Sequence, residues 1–265
     1  MTLSRTDLDA REALARELAH EAGVLALRYF HRDLAYHLES KGPQDWVSEA
    51  DRAVEELVRS AIAREFPGDH LLGEEAGGTV GTHSWVVDPI DGTINFVHGV
   101  RYWCISMAFI ADGLREIGIV NDPSLGEVFR ARRGAGAWCG SERLRVSSCA
   151  TLDRALVVAG YVPRHGLEEH LELRRRLLNA GAAVKDMGAG ALMLAHVAAG
   201  RYDAFYEPHM HPWDAAAGLL LIEEAGGRIA PYPGPAGLAV GGTVIAATPA
   251  VFEPLRALIE YPTSQ

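Results

Sequence analysis

The chain of 265 residues is 48% hydrophobic, with a formal net charge of −10 and a pI near 5.5, enough apolar mass for a packed core in one large domain or two small ones. The acidic balance argues against nucleic acid or an anionic membrane as the main partner, because both require a basic face, and it suits a soluble enzyme with an acidic metal site. No apolar run approaches the ~18–20 residues of a membrane span, and Arg5, Asp7, Asp9, Arg11 and Glu12 leave no room for the apolar core of a signal peptide, so the expected location is the cytoplasm.

Residues 6–31 place Leu14, Leu18, Leu25 and Tyr29 at helical spacing behind a Thr6 cap. Ser40-Lys41-Gly42-Pro43-Gln44-Asp45 reads as a turn or hairpin, in which Asp45 is by itself a turn residue and Lys41 a solvated side chain. Trp46-Val47 leads to Ser48-Glu49-Ala50-Asp51, a cap signature opening a second helix that buries Val54, Leu57, Val58, Ala61 and Ile62 and stops at Pro67-Gly68. Taken alone, Asp51 has sufficient reason to be there as a cap. Leu71-Leu72-Gly73 is a short strand ending in Glu74-Glu75, an acid pair that is commonplace on a solvated loop. About a dozen residues later the buried strand Trp85-Val86-Val87 also ends in a carboxylate, and neighbouring strand ends would bring the two acid sets together.

The densest chemistry is Asp88-Pro89-Ile90-Asp91-Gly92-Thr93. Two acids across a Pro-restrained turn can aim at one point, which costs repulsion unless a cation sits between them. Gly92 and Thr93 then offer backbone N–H groups to an anion at a helix start. A cation site beside an anion site suggests a phosphate ester.

From Tyr102 to Arg132 the pattern is an antiparallel meander with turns at Ala111-Asp112-Gly113 and Asn121-Asp122-Pro123. Gly134–Gly140 resembles a dinucleotide loop, but its third glycine falls one place late and no crossover helix follows, so it reads as a turn. The second half alternates: strand Ala155–Ala159, helix Leu167–Asn179, strand Ala183–Met187, helix Ala189–Ala198, strand Ala204–Tyr206, helix Pro212–Glu224, strands Arg228–Ala230 and Gly242–Ala247, and a closing helix from Ala250 to Ile259. This is an α/β arrangement forming a single unit over 1–265, with a soft subdivision near residue 150. Cys104, Cys139 and Cys149 lack metal-type spacing, and no nearby Cys or third His completes a zinc site at His209-x-His211. Asp214 opens an otherwise apolar helix, either as a cap or because a buried cation needs its carboxylate.

Gly73-Glu74-Glu75, the stretch Trp85–Phe96, and Trp213-Asp214 followed by Glu224-Ala225-Gly226-Gly227 together resemble the inositol monophosphatase family, with further likeness at Lys41–Asp51 and Gly188–Ala191. The resemblance implies a layered α-β-α-β-α sandwich, Mg²⁺-dependent phosphomonoester hydrolysis, lithium sensitivity and a homodimer. It implies that Glu74, Asp88 and the Ile90 carbonyl hold one Mg²⁺ and that Asp88, Asp91 and Asp214 hold a second, with a weaker third near Glu74. Thr93 and Asp51 would form a hydrogen-bonded pair that, with Glu74, orients and deprotonates the attacking water. Gly92 and Thr93 would cradle the phosphate, and Lys41, Asp45 and Glu75 would support the ligands from behind. Asp91, Gly188, Gly190, Glu207 and His211 would face the alcohol moiety. Ser48, Ile94 and Lys185 depart from the residues commoner in the family at those places.

The implied substrate is inositol 1-phosphate or a similar polyol phosphate. Histidinol-phosphate phosphatase, 3′-phosphoadenosine 5′-phosphate nucleotidase and fructose-1,6-bisphosphatase share the chemistry. The last two need cations for a second phosphate, and only Arg164, His165 and Lys185 are offered. A different class of role is an interaction module for the transcription or translation machinery, which an intact acidic set disfavours as the sole role.

Overall fold

The computed structural model describes residues 3–34, 37–42, 45–162, 166–232 and 237–260, without the side chains of 40–42 and 45–47. Ser4, rather than Thr6, caps helix α1 (Arg5–Phe30): its hydroxyl accepts the Asp7 N–H at 3.2 Å, and Asp7 accepts the Ser4 N–H at 3.0 Å. The antiparallel hairpin of β1 (Leu38–Gly42) and β2 (Asp45–Ser48) leads directly into α2 (Glu49–Glu65).

Strands β3 (His70–Gly73), β4 (Gly77–Gly78) and β5 (His83–Asp91) follow, then the short helix α3 (Thr93–Val97). The meander is β6 (Cys104–Ala111), β7 (Leu114–Asp122) and β8 (Glu127–Arg132), extended by β9 (Gly136–Cys139) and β10 (Glu142–Arg143). They form an eight-stranded sheet in the order β10-β9-β8-β7-β6-β5-β3-β4. Two expectations are corrected here. The strand expected to stop at Val87 runs on to Asp91, its register with β6 shifting between Asp88 and Asp91, because Pro89 removes a ladder N–H and the chain bulges instead of ending. Half of the expected Gly134–Gly140 turn is strand β9, paired to β8.

The second half supplies β11 (Leu156–Ala159), α4 (Leu167–Asn179), β12 (Ala183–Lys185), α5 (Gly190–Ala198), β13 (Ala204–Met210), α6 (Pro212–Glu224), β14 (Arg228–Ile229), β15 (Gly242–Ala247) and α7 (Pro249–Glu260). Its five-stranded sheet has the order β12-β11-β13-β15-β14. Strand β13, expected to end at Tyr206, continues through Pro208, with a register shift between Glu207 and Met210.

Helices α1 and α2 cover one face of the large sheet, α5 and α6 fill the space between the two sheets, and α4 and α7 cover the outer face of the small one. The expected α-β-α-β-α sandwich is therefore present. The middle layer explains why α5 and α6 are apolar almost all round: Ala191–Ala198 and Ala215–Ile222 are buried throughout, as a helix with sheets on both sides must be. Among the described residues, no helix is long and apolar enough to cross a membrane.

Candidate active site

Strands β3 and β5 run parallel and their pairing ends with Gly73 opposite Val87, so Glu74, just past β3, and Asp88, in the β5 bulge, emerge side by side. The Glu74 N–H donates to the Val87 carbonyl at 3.2 Å, which fixes the alignment. Asp88 is 2% exposed, and its Oδ1 accepts the Ile90 N–H at 2.9 Å, folding the bulge back on itself. Opposite Asp88 on β6 stands Ser106, whose hydroxyl donates to the Trp213 carbonyl at 2.8 Å and so ties the start of α6 to this point. That contact delivers Asp214, whose Oδ2 accepts the His211 N–H at 3.1 Å as a cap. Glu74, Asp88, Ile90, Asp91, Gly92, Thr93, Gly190, Glu207, Met210 and Asp214 line a cleft of about 210 Å³.

Asp91 stands at the N-terminus of α5. Its Oδ1 accepts the Gly190 N–H at 3.0 Å, and its Oδ2 accepts the N–H groups of Ala191 at 2.8 Å and Leu192 at 3.3 Å and the Cys104 thiol at 3.4 Å. Burial pushes its carboxyl up to about 6 even though these donors pull the other way. Loss of hydration also raises Glu74 and Asp88 well above the ordinary carboxylate range and Asp214 to about 8, and mutual repulsion adds to each. No Lys or Arg among the described residues is a leading influence on any of the four.

An all-oxygen donor set at that charge density fits a hard divalent cation and no soft one. As the side chains stand, no three His, Cys, Asp or Glu among the described residues close tightly enough to hold an ion. The fit therefore rests on donor chemistry, burial and uncompensated charge, not on ligand distances. Asp91 keeps acceptor capacity on Oδ1, which takes one donor, while the Ile90 carbonyl already accepts the Thr93 hydroxyl at 3.0 Å.

Asp51 is fully buried at the start of α2. Its Oδ2 accepts the Ser48 N–H at 2.8 Å and the Ser48 hydroxyl at 2.5 Å, a capping box, while its Oδ1 has no hydrogen-bond partner among the described residues. The cap reading and the catalytic reading thus apply to different oxygens of one carboxylate. Burial raises Asp51 to about 6, the Ser48 bonds lower it and the nearby Glu75 charge raises it further. The expected Thr93–Asp51 hydrogen bond is not made, because the Thr93 hydroxyl is spent on the Ile90 carbonyl three residues back.

Of the residues expected to face substrate, Gly190 and Glu207 line the cleft beside Asp91. Gly188 is not in that lining: it packs behind Gly92 and Asn95, its own φ at 73°. His211 is not in it either, and its ring stacks on Trp213 with centroids 4.7 Å apart. The side chains of Lys41 and Asp45, and residues Arg164 and His165, lie outside the described residues. Lys185 is exposed on β12. A larger cavity of about 660 Å³ is lined by alternate β13 residues Tyr206 and Pro208 together with Tyr161, His170 and Arg176. It opens on the opposite side of the strand from Glu207 and gathers none of the cleft acids.

Four contributors escape a reading of the sequence. Ser106 and Cys104 are polar atoms inside an apolar strand, a weak signal that was present. Asn95 donates to the carbonyls of Tyr102 and Met187, both at 2.8 Å, pinning α3 to the loop before α5. Glu55 accepts backbone N–H groups from the loop after Glu74, and nothing in its spacing announces it.

A layered sandwich with an acid-lined cleft where strand ends meet helix starts defines the class of molecule, and comparison with known proteins narrows it. The profile of the inositol monophosphatase family matches residues 7–260. The chain is 37% identical over 256 residues to the Nus factor SuhB of Pseudomonas aeruginosa, covering 93% of this chain and 94% of that protein. It is 36% identical over 261 residues to the inositol-1-monophosphatase of Rhizobium meliloti, covering 96% and 98%. The Thermotoga maritima IMPase structure superposes with a TM-score of 0.85 at 31% identity, covering 94% of this chain and 96% of that one. The chain belongs to the inositol monophosphatase family, which makes it a phosphatase by class.

Proposed function

We propose that the protein is a Mg²⁺-dependent phosphomonoesterase that releases phosphate from inositol 1-phosphate or a similar polyol phosphate. The observation that carries this reading is the convergence of Glu74, of Asp88 and Asp91 on β5, and of Asp214, three separate segments, in one small cleft with no Lys or Arg among its described lining residues. Glu74, Asp88 and the Ile90 carbonyl would hold one Mg²⁺, Asp88, Asp91 and Asp214 a second, and Glu74 a weaker third. Mg²⁺ bound there supplies Lewis-acid polarisation of the phosphoryl oxygens and a lowered pKa for water.

The chain's own residues do the rest. Gly92 and Thr93 present the first turn of α3 to the phosphate. Glu74 and the free Oδ1 of Asp51 are the acceptors for the proton leaving the attacking water, with the Thr93 hydroxyl turning from Ile90 to join them. Glu207, Gly190 and Asp91 face the alcohol, and Glu207 can accept hydrogen bonds from polyol hydroxyls. His211 would stand near the rim, and Lys41, Asp45 and Glu75 would support the ligands.

The substrate choice draws on the name of the R. meliloti relative and on the absence of cations among the described cleft-lining residues, which disfavours a second phosphate. A histidinol phosphate, nucleotide or fructose bisphosphate substrate is the competing outcome of a kcat/KM panel. A homodimer, lithium inhibition and a cytoplasmic location draw on family likeness, and a monomer in light scattering at micromolar concentration would contradict the first. A second role beside the transcription machinery draws on the name of the P. aeruginosa relative, and it is compatible with catalysis.

Substituting the ligands tests the metal assignment. In Asp214→Asn or Asp91→Asn, phosphate release should fall by more than about 100-fold, beyond the range of a lost supporting contact, with the circular dichroism spectrum unchanged. Near-normal turnover in either folded variant would sink the assignment.

A further inference from the structure

Glu55 lies one helical turn beyond Asp51 on the same face of α2, and it is 1% exposed. A carboxylate is costly to bury unless its oxygens are bonded, and here the bonds go to the loop that carries Glu74. Oε2 accepts the Glu75 N–H at 2.8 Å, and Oε1 accepts the Ala76 N–H at 3.0 Å. Arg59, one turn further on, donates to Oε1 at 2.7 Å and from the same nitrogen to the Gly77 carbonyl at 2.9 Å. Gly73 closes the contact, since a Cβ there would fall 2.4 Å from the Glu55 carboxyl carbon.

The backbone at Glu74 is therefore pegged on both sides. Before it, Gly73 and the Glu74 N–H are tied to Val87 of β5, the strand that carries Asp88 and Asp91. After it, two successive amides are tied to α2, the helix that carries Asp51. Glu55 is not among the residues lining the cleft, so whatever it does for the site it does through this loop.

We propose that Glu55 is a positioning residue: by holding the Glu75 and Ala76 amides it sets where the Glu74 carboxylate stands between Asp88 and Asp51, and thereby sets the affinity of the site for a divalent cation. The inference rests on the metal-dependent reading given above. A charged acceptor is required because both oxygens take N–H donors. A glutamine in its place would bring an NH₂ group against one of those amides.

The test compares wild-type protein with Glu55→Gln and with Gly73→Ala, which presses on the same carboxylate from the loop side. Mg²⁺ binding is measured by calorimetry, and amide hydrogen exchange across residues 74–77 is measured without metal. In both variants the Mg²⁺ dissociation constant should rise by about tenfold or more, exchange should quicken at the Glu75 and Ala76 amides, and raising Mg²⁺ should restore most of the lost phosphate release. Unchanged Mg²⁺ affinity and unchanged exchange in folded variants would overturn the proposal while leaving the metal reading intact. Loss of the fold in both variants would also overturn it, by making the role structural. Wild-type protein that takes up no Mg²⁺ would refute the metal reading and this inference together.

Discussion

Asp91 carries two duties. Its oxygens satisfy the first three N–H groups of α5, which would otherwise be orphaned beneath the cleft, and the carboxylate still faces the acids opposite. The proposed ligand duty follows from its spacing to Asp88, but the capping duty was not legible, because its partners lie roughly a hundred residues away. Asp51 divides in the same manner, one oxygen for the helix start and one left over. Of the two glycines lining the cleft, Gly92 is the one with a positive φ, 88°, and a Cβ there would fall 2.9 Å from the Ala189 Cβ and 3.1 Å from the Gly188 carbonyl. Gly92→Ala should therefore cost on the order of 1–2 kcal/mol in backbone strain alone and also push α3 away from the loop before α5. Chemical denaturation and kcat/KM check it. The expected outcome is a folded protein with kcat/KM lowered by roughly tenfold or more, and full activity would show that the close approach is dispensable.

Elements with a clean period were readable from the chain. Helices α4 and α6 and strand β15 have the bounds expected of them, because apolar spacing and flanking Gly or Pro agree. Strands β5 and β13 outrun their expected ends at Pro89 and Pro208 for one common reason, a register shift where a residue that usually ends a strand lets it continue, whereas β9 opens at Gly136 in unbroken register with β8. Helix α3 has only five residues and could not persist alone. It is held by Phe96, whose ring lies 4.9 Å from Trp103 and 5.4 Å from Phe30, and by Asn95. On α5, His196 is buried against the Tyr102 hydroxyl, the Arg201 guanidinium and the Phe129 and Tyr202 rings, with Glu127 paired to Arg201. Burial first, and Arg201 second, push it down from 6.5 to about 4. A depressed imidazole favours the neutral form in the folded state, so its contribution is fully present above pH 6.5 and is lost as pH falls through about 4. Between pH 7 and pH 5 the wild type should lose on the order of 2 kcal/mol more unfolding free energy than His196→Gln does. Equal losses in urea titrations at the two pH values would contradict the shift.

At the scale of the molecule, the middle helices join the halves. One apolar cluster runs from Val86, Ala108 and Phe129 of the large sheet through Leu192, Leu220 and Ile222 to Phe205 and Ala246 of the small one. Cutting the chain near residue 150 would divide that cluster, so the expected outcome in calorimetry is one cooperative transition, and two separated endotherms would contradict it. The layering was legible because alternating strands and helices admit few topologies, and the acid motifs of β3 and β5 mapped to one cleft because the parallel pairing of the two strands stops at Gly73 and Val87, just before Glu74 and Asp88. The role of Glu55 was not legible, and that of Ser106 was hinted at only by a hydroxyl in an apolar strand, since each acts on backbone that only the fold brings near. The most direct test of the central claim is phosphate release from inositol 1-phosphate with Mg²⁺ and with excess chelator. The account predicts turnover with Mg²⁺, at a higher kcat/KM than for the doubly phosphorylated compounds, and loss of turnover on chelation; release that persists under chelation, or its absence with every phosphate ester at saturating Mg²⁺, would contradict it.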